Sequence, residues 1–149
     1  MTHDALLEFM RSEKYAVQAT VFPDGRAQAA VVGIAVSDRF EIVFDTLASS
    51  RKAANLRANP AVALVIGGTR DGDERTVQYE GRADEPEGVE LERLLALYYA
   101  RFPDGPTRRS WPGLIYVRVK PLWIRYSDFS AQPPEIVEFT SNVLSDFDL

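Results

Sequence analysis

Residues 14–36, KYAVQATVFPDGRAQAAVVGIAV, constrain the fold more than any other stretch of the chain. Two strand-forming halves flank Phe22-Pro23-Asp24-Gly25. Proline pre-sets φ for a turn and glycine accepts a positive φ, so the segment reads as a β-hairpin. A second tight connection is expected at residues 37–39, Ser-Asp-Arg, leading into a strand over 40–45. The chain therefore opens as an antiparallel, three-stranded meander, which already argues against a doubly wound sheet.

The remaining segments fit that frame. Ala5, Leu6, Phe9 and Met10 share one face of a short amphipathic helix ending near Ser12. Ser49 or Ser50 suits the N-cap of a helix over 50–58, and Asn59-Pro60 stops it, because a residue before proline is driven out of the α region. AVALVIGG (61–68) reads as a strand buried on both faces, RDGDE (70–74) as a polar loop and RTVQYEGRA (75–83) as a half-exposed strand. The strongest helix lies within 85–102, with Leu91, Leu94, Leu95 and Tyr98 at helical spacing behind an acidic start. A second Phe-Pro-Asp-Gly at 102–105 begins a polar, proline-rich loop reaching Pro112. The last strand spans 113–129, with Pro121 marking a bulge or an edge. From about residue 130 the tail is expected to be extended, partly disordered or laid across a partner. With about six strands and no βαβ rhythm, residues 1–149 are expected to form a single domain, mainly β with peripheral helices: a six-stranded antiparallel barrel.

Composition removes several chemistries. The chain has no cysteine and one histidine, His3. Disulfides, thiolate metal sites and Ser-His-Asp triads are thereby excluded, and no metal site is expected. A net charge of −5 argues against a general nucleic-acid surface. No apolar run approaches the roughly 20 residues that span a bilayer, so no membrane partner is expected and a cytoplasmic location is.

Against this acidic background TLASSRKAANLRANP (46–60) stands out. Thr46, Ser49 and Ser50 hydroxyls, with Arg51 and Lys52, gather where a helix N-terminus presents unpaired N–H groups and partial positive charge. No Asp or Glu occurs from Thr46 to Arg70. Planar guanidinium, point-charge ammonium and hydroxyl donors together suit a phosphate monoester. Ordinary capping and a solvated face explain the same residues, and the pattern by itself leaves both open.

FDTLASSRKAANLRANPAVALVI resembles the phosphate-binding segment of the pyridoxamine 5'-phosphate oxidase-like, FMN-binding split-barrel family. VQYEGRA followed by an amphipathic helix, and then YVRVKPLWIRY, resemble that family's later segments in the same order. The resemblance implies a split barrel of the FMN-binding type and a homodimer with FMN at its interface. Ser50, Arg51 and Lys52 would hold the phosphate, with Ser49 beside them and Thr46 near the ribityl chain or ring. Val31, Val32 and Gly33 would offer backbone groups to the isoalloxazine edge. Thr76 stands where the oxidase has glutamine, and Gln78, two residues on, is the substitute.

The chain also departs from the oxidase proper. It has Ser127 at a tryptophan-like position, Ala35 at a substrate-contacting lysine position and no histidine after His3. The expectation is an FMN-dependent oxidoreductase acting on a small substrate other than a vitamin B6 phosphate, with no acid–base residue assigned. Alternatives on the same fold are a flavin storage or sensing protein and a deazaflavin-dependent reductase. Among other residues, Trp123 is expected in the core, a dimer interface or a pocket wall, Tyr99 at the surface, and Arg108 and Arg109 in solvent.

Overall fold

The computed structural model describes residues 1–140. In chain order it forms α1 (His3–Ser12), β1 (Tyr15–Val21), β2 (Ala27–Gly33), β3 (Ala35–Val36), β4 (Ile42–Leu47), α2 (Arg51–Ala58) and β5 (Ala61–Gly67). There follow β6 (Arg75–Asp84), α3 (Gly88–Arg101), the one-turn α4 (Gly105–Arg108), β7 (Leu114–Asp128) and β8 (Glu135–Thr140). Among the described residues no helix is long and apolar enough to cross a membrane.

The first hairpin forms where the proline and glycine place it. The Gly25 N–H donates to the Phe22 carbonyl at 2.8 Å, the Phe22 N–H donates to the Arg26 carbonyl at 2.8 Å, and Gly25 takes φ 89°. That is a tight turn closed by a left-handed glycine, which needs no Cβ relief. The connection expected at residues 37–39 runs on to Glu41, closed by the Ser37 N–H donating to the Glu41 carbonyl at 2.9 Å. Phe40 itself adopts φ 59°, so the strand begins at Ile42 instead of Phe40.

Strand order around the sheet is β2-β1-β5-β6-β7-β4-β3, every pair antiparallel. Its two ends, β2 and β3, are consecutive pieces of chain separated by Ile34 alone. Ile34 donates its N–H to the Lys14 carbonyl at 2.9 Å, and the next residue, Ala35, pairs with Val43. One strand thus serves both edges and closes the sheet into a barrel split between β2 and β4. Counted as one strand, β2 and β3 give the expected six; β8, paired to β7, is additional. The tail beyond 130 is therefore partly a strand, while residues 141–149 lie outside the described residues. The loop expected to reach Pro112 contains the short α4.

β7 is the spine. It pairs with β4 over residues 114–119, with β6 over 118–128 and with β8 over 123–128. At Pro121 the register against β6 slips by a residue, so the proline's missing donor falls at a bulge. Opposite it, Gly81 has no room for a Cβ, which would meet the Lys120 carbonyl oxygen and Val119 Cγ1.

α1 plugs the barrel with Leu6, Phe9 and Met10, all buried against strand residues such as Ile66 and Tyr126. A second cluster lies outside the barrel wall, where Leu94, Leu95 and Tyr98 of α3 cover Ala35, Val43 and Tyr116. Arg118 ties α3 to this wall, bonding Asp84 at 2.6 Å and Glu90 at 3.2 Å.

Tyr79, fully buried, anchors the interior by its hydroxyl, 2.8 Å from the Phe40 carbonyl and 3.1 Å from that of Val119. Burial pushes its pKa well above the usual phenol range, so the group remains a donor. Tyr79→Phe leaves both buried carbonyls without this donor, and the expected loss is about 1–3 kcal/mol of unfolding free energy in urea titration.

Candidate functional site

β4 delivers the candidate cradle. Its residues alternate across the barrel wall: Phe44 faces the core, and Thr46, two residues on, shares that face at the barrel end. Leu47 then leads into a turn in which the Ser50 N–H donates to the Leu47 carbonyl at 2.9 Å. Ser50 caps α2, its Oγ accepting from the Ala53 N–H at 3.2 Å. Thr46 Oγ1 donates to the same Oγ at 3.0 Å, and Lys52 Nζ lies 3.5 Å from Thr46 Oγ1.

Thr46, Ser50 and Lys52 therefore form one connected group, with Ser49 and Arg51 exposed beside it. The first turn of α2 carries no acidic residue, and among the described residues neither Arg51 nor Lys52 pairs with a carboxylate. The first N–H groups of the helix have no partner within it. Hydroxyls, free N–H groups and two cations converging at one helix start fit an anionic ligand of phosphate type.

Residues 31–33 divide. Val32 is buried in the barrel core, whereas the Val31 side chain points outward and is 67% exposed. Gly33 is packed so closely against Phe102 that an added Cβ would sit 2.6 Å from its ring. Since β2 ends the strand order, one of its backbone edges has no strand partner among the described residues and borders the split.

Thr76 and Gln78 lie elsewhere. Thr46 pairs with Ile115 near the start of β7, whereas Thr76 pairs with Ser127 near its end. One chain does not bring Thr76 and Gln78 to the cradle. Gln78 instead continues a cross-strand row on the outer face, Val31–Val17–Val65–Gln78.

That outer face inverts ordinary patterning. On β1, Tyr15, Val17 and Val21 are exposed while Gln18 and Thr20 are buried. β5 alternates as well, with Val65 46% exposed, so it is not buried on both faces as expected from its apolar run. A groove of about 480 Å³ crosses this face, floored by Val17, Val31 and Val65 and rimmed by Lys14 and Arg70.

Inside the barrel the displaced polar groups bond one another. Asn55 Nδ2 of α2 donates to Thr20 Oγ1 at 3.1 Å, and Thr20 Oγ1 donates to Gln28 Oε1 at 3.0 Å. Gln18 Nε2 donates to the same oxygen at 3.3 Å. No local pattern in the sequence marks these residues as a group. The available signal was Asn55 beside Ala53 and Leu56, an amide in the buried stripe of a short helix.

Other candidates resolve structurally. Arg108 is half-buried and bonds Asp45 at 2.9 Å and Asp104 at 2.7 Å, so it does not simply solvate its loop. Burial opposes its charge, but the hydrogen bond and attraction to Asp45 outweigh that and raise its pKa. Burial, then Asp45, pushes the Tyr98 phenol up to about 12. Tyr99 and Tyr116 share a hydrogen bond of 2.8 Å. Asp45 and Tyr116 are paired neighbours of Thr46 and Ile115, so this group occupies the other face of β4, under α3. Trp123 is half-buried, its indole N–H donating to Glu138 at 3.3 Å.

The model of the family described as pyridoxamine 5'-phosphate oxidase matches residues 2–128. A pyridoxine/pyridoxamine 5'-phosphate oxidase of Burkholderia multivorans is 32% identical over 126 residues, covering 78% of this chain and 56% of that protein. The chain thus spans about half the length of the curated relatives it matches. Among solved structures, a heme binding protein from Mycobacterium smegmatis superposes with a TM-score of 0.83 at 14% identity, over 98% of this chain and 61% of that one. A pyridoxamine 5'-phosphate oxidase-related, FMN binding protein from Nostoc punctiforme gives 0.66 at 15% identity, over 92% and 87%. At these identities the two likenesses concern the fold alone.

Ser50→Ala removes the cap of α2 and the acceptor for Thr46. The expected cost is about 1 kcal/mol of stability by urea denaturation, with the barrel otherwise intact.

Proposed function

Because the chain belongs to the pyridoxamine 5'-phosphate oxidase family, we propose that it is an FMN-binding flavoprotein, working as a homodimer in oxidation–reduction of a small substrate. The observation that carries this reading is the α2 cradle: Thr46, Ser50 and Lys52 in mutual contact, with Ser49 and Arg51 alongside and no local acid.

Each residue has a distinct task. Ser50 orients the helix start and, with Ser49, presents hydroxyl donors. Arg51 offers a planar pair of donors and Lys52 a point charge, together neutralising a phosphate dianion. Thr46, held by Ser50, would meet the chain attached to that phosphate. The free edge of β2 at residues 31–33 supplies backbone groups to the ring. FMN, once bound, supplies the electron- and hydride-transfer chemistry. The cradle contains no carboxylate or imidazole, and the tyrosines under α3 lie on the opposite face of β4. The protein's contribution is binding and orientation.

A homodimer accounts for the inverted sheet. Exposed Val17, Val31 and Val65 form a continuous apolar row of the kind that marks an interface. Gln78 extends this row and Thr76 lies at its margin, so both would serve a flavin only across two subunits. Oxidation of a vitamin B6 phosphate is not proposed. Ala35 has no polar group to offer a substrate, and Ser127 is buried.

FMN titration followed by flavin fluorescence tests the cradle. Wild type is expected to bind FMN, and Arg51→Ala with Lys52→Ala to weaken it by about a hundredfold, since hydrogen bonds to charged groups contribute about 1.5–3 kcal/mol each. Unchanged affinity would overturn the phosphate assignment. Failure of wild type to bind FMN while taking up a deazaflavin would move the assignment to that cofactor. FMN binding without turnover of any electron donor would favour storage or sensing.

Sedimentation tests the interface. Wild type should run as a dimer, and Val17→Lys with Val65→Lys as a folded monomer with weakened FMN binding. A wild-type monomer rules the dimer out.

A further inference from the structure

We propose that Asn55 is a positioning residue that sets the direction and register of the phosphate-binding end of α2 by hydrogen bonding through the barrel lumen to β1 and β2. This rests on the proposal that the α2 cradle holds the FMN phosphate.

Asn55 is a costly choice where it stands. Asparagine is a poor helix former, and a buried amide is destabilising unless its hydrogen bonds are met. The side chain is 1% exposed, between Ala53 and Leu56 in an eight-residue helix. Leucine or alanine would satisfy burial alone. Asn55 instead reaches Thr20 at 3.1 Å, on a strand that turns polar groups into the barrel and valines outside, and through it Gln28 of β2. The polar lumen is thus built around a contact with this helix.

The geometry links that contact to the cradle. Asn55 follows Lys52 by three residues and Arg51 by four, so it lies one turn below them on the same side of the helix. Apolar contacts through Ala53 and Leu56 hold α2 against the barrel, but such contacts are non-directional. The amide-to-hydroxyl bond is directional and buried, and it resists rotation of the helix about its axis. A small rotation there would swing Lys52 away from Thr46, 3.5 Å distant, and Ser50 away from its 3.0 Å bond with Thr46. The other end of α2 is held separately, by Arg57 on Glu85 at 2.9 Å, which fixes position without fixing the first turn.

The discriminating measurement compares FMN with riboflavin, which lacks the phosphate. Wild type should prefer FMN, and Arg51→Ala with Lys52→Ala should abolish the preference. Asn55→Leu keeps the bulk and removes the amide. Thr20→Val removes its partner from β1 without altering α2, and decides the matter should Asn55→Leu not fold. Both are expected to lower the FMN-to-riboflavin affinity ratio by about tenfold or more, the scale of one hydrogen bond to a charged group, with riboflavin affinity unchanged. Thr20→Ser, which keeps the hydroxyl, should retain the wild-type ratio.

If the cradle variant loses the preference while Asn55→Leu and Thr20→Val keep it, the positioning role is overturned and the cradle stands. Equal loss of both affinities at constant ratio assigns Asn55 to general stability and likewise overturns the proposal. A wild type indifferent to the phosphate removes the cradle itself, and this inference with it.

Discussion

Everything in this fold depends on the break at Ile34. A single strand pairs with β1 before that residue and with β4 after it, so the two ends of the sheet are joined covalently. The barrel therefore opens only where a ladder of hydrogen bonds ruptures, as at the two-pair contact of β3 with β4. The same device creates the split, because β2 must leave β4 in order to reach β1. What the split exposes is a free backbone edge on one side and the exit of β4 into α2 on the other. The candidate site is thus a by-product of how the sheet closes.

The second governing feature is the inversion of β1. A strand with apolar residues on one face and polar ones on the other normally turns the apolar face inward. Here the amides and the threonine occupy the lumen and the valines face outward. Both halves of the inversion have a use in the reading offered here: the outer valines meet a second subunit, and the inner polar groups grip α2. The apolar content of the chain is therefore divided between a core and a surface, and a count of hydrophobic residues does not distinguish them.

This division also explains how much the sequence disclosed. The Phe22-Pro23-Asp24-Gly25 turn, the Ser50 cap, the Asn59-Pro60 stop and the stripe of α3 were legible because each is a local preference expressed within a few residues. The cluster of Thr46, Ser50 and Lys52 was legible for the same reason, since strand end and helix start are adjacent in the chain. Pairing of β8 with β7 was not, because two prolines precede it and its partner is chosen by the open edge of β7. Alternation along β1 and β5 reveals that two faces differ, or that both are apolar. Which face turns inward is decided by strands far away in sequence. Asn55 escaped notice because its importance lies entirely in Thr20 and Gln28, across the barrel.

β7 adds a constraint of time. β4 has only the brief β3 as a local partner, and its other edge waits for residues 114–119. On a ribosome, hairpin β1–β2 and the β5–β6 pair can assemble while β4 still lacks the neighbour that completes it. Closure of the barrel wall follows emergence of residues 114–119, whereas Thr20, Gln28 and Asn55 all precede them in the chain. The cradle thus precedes β7 in the chain, so a nascent chain carries the cations of the site before it has the strand that completes the wall beside them.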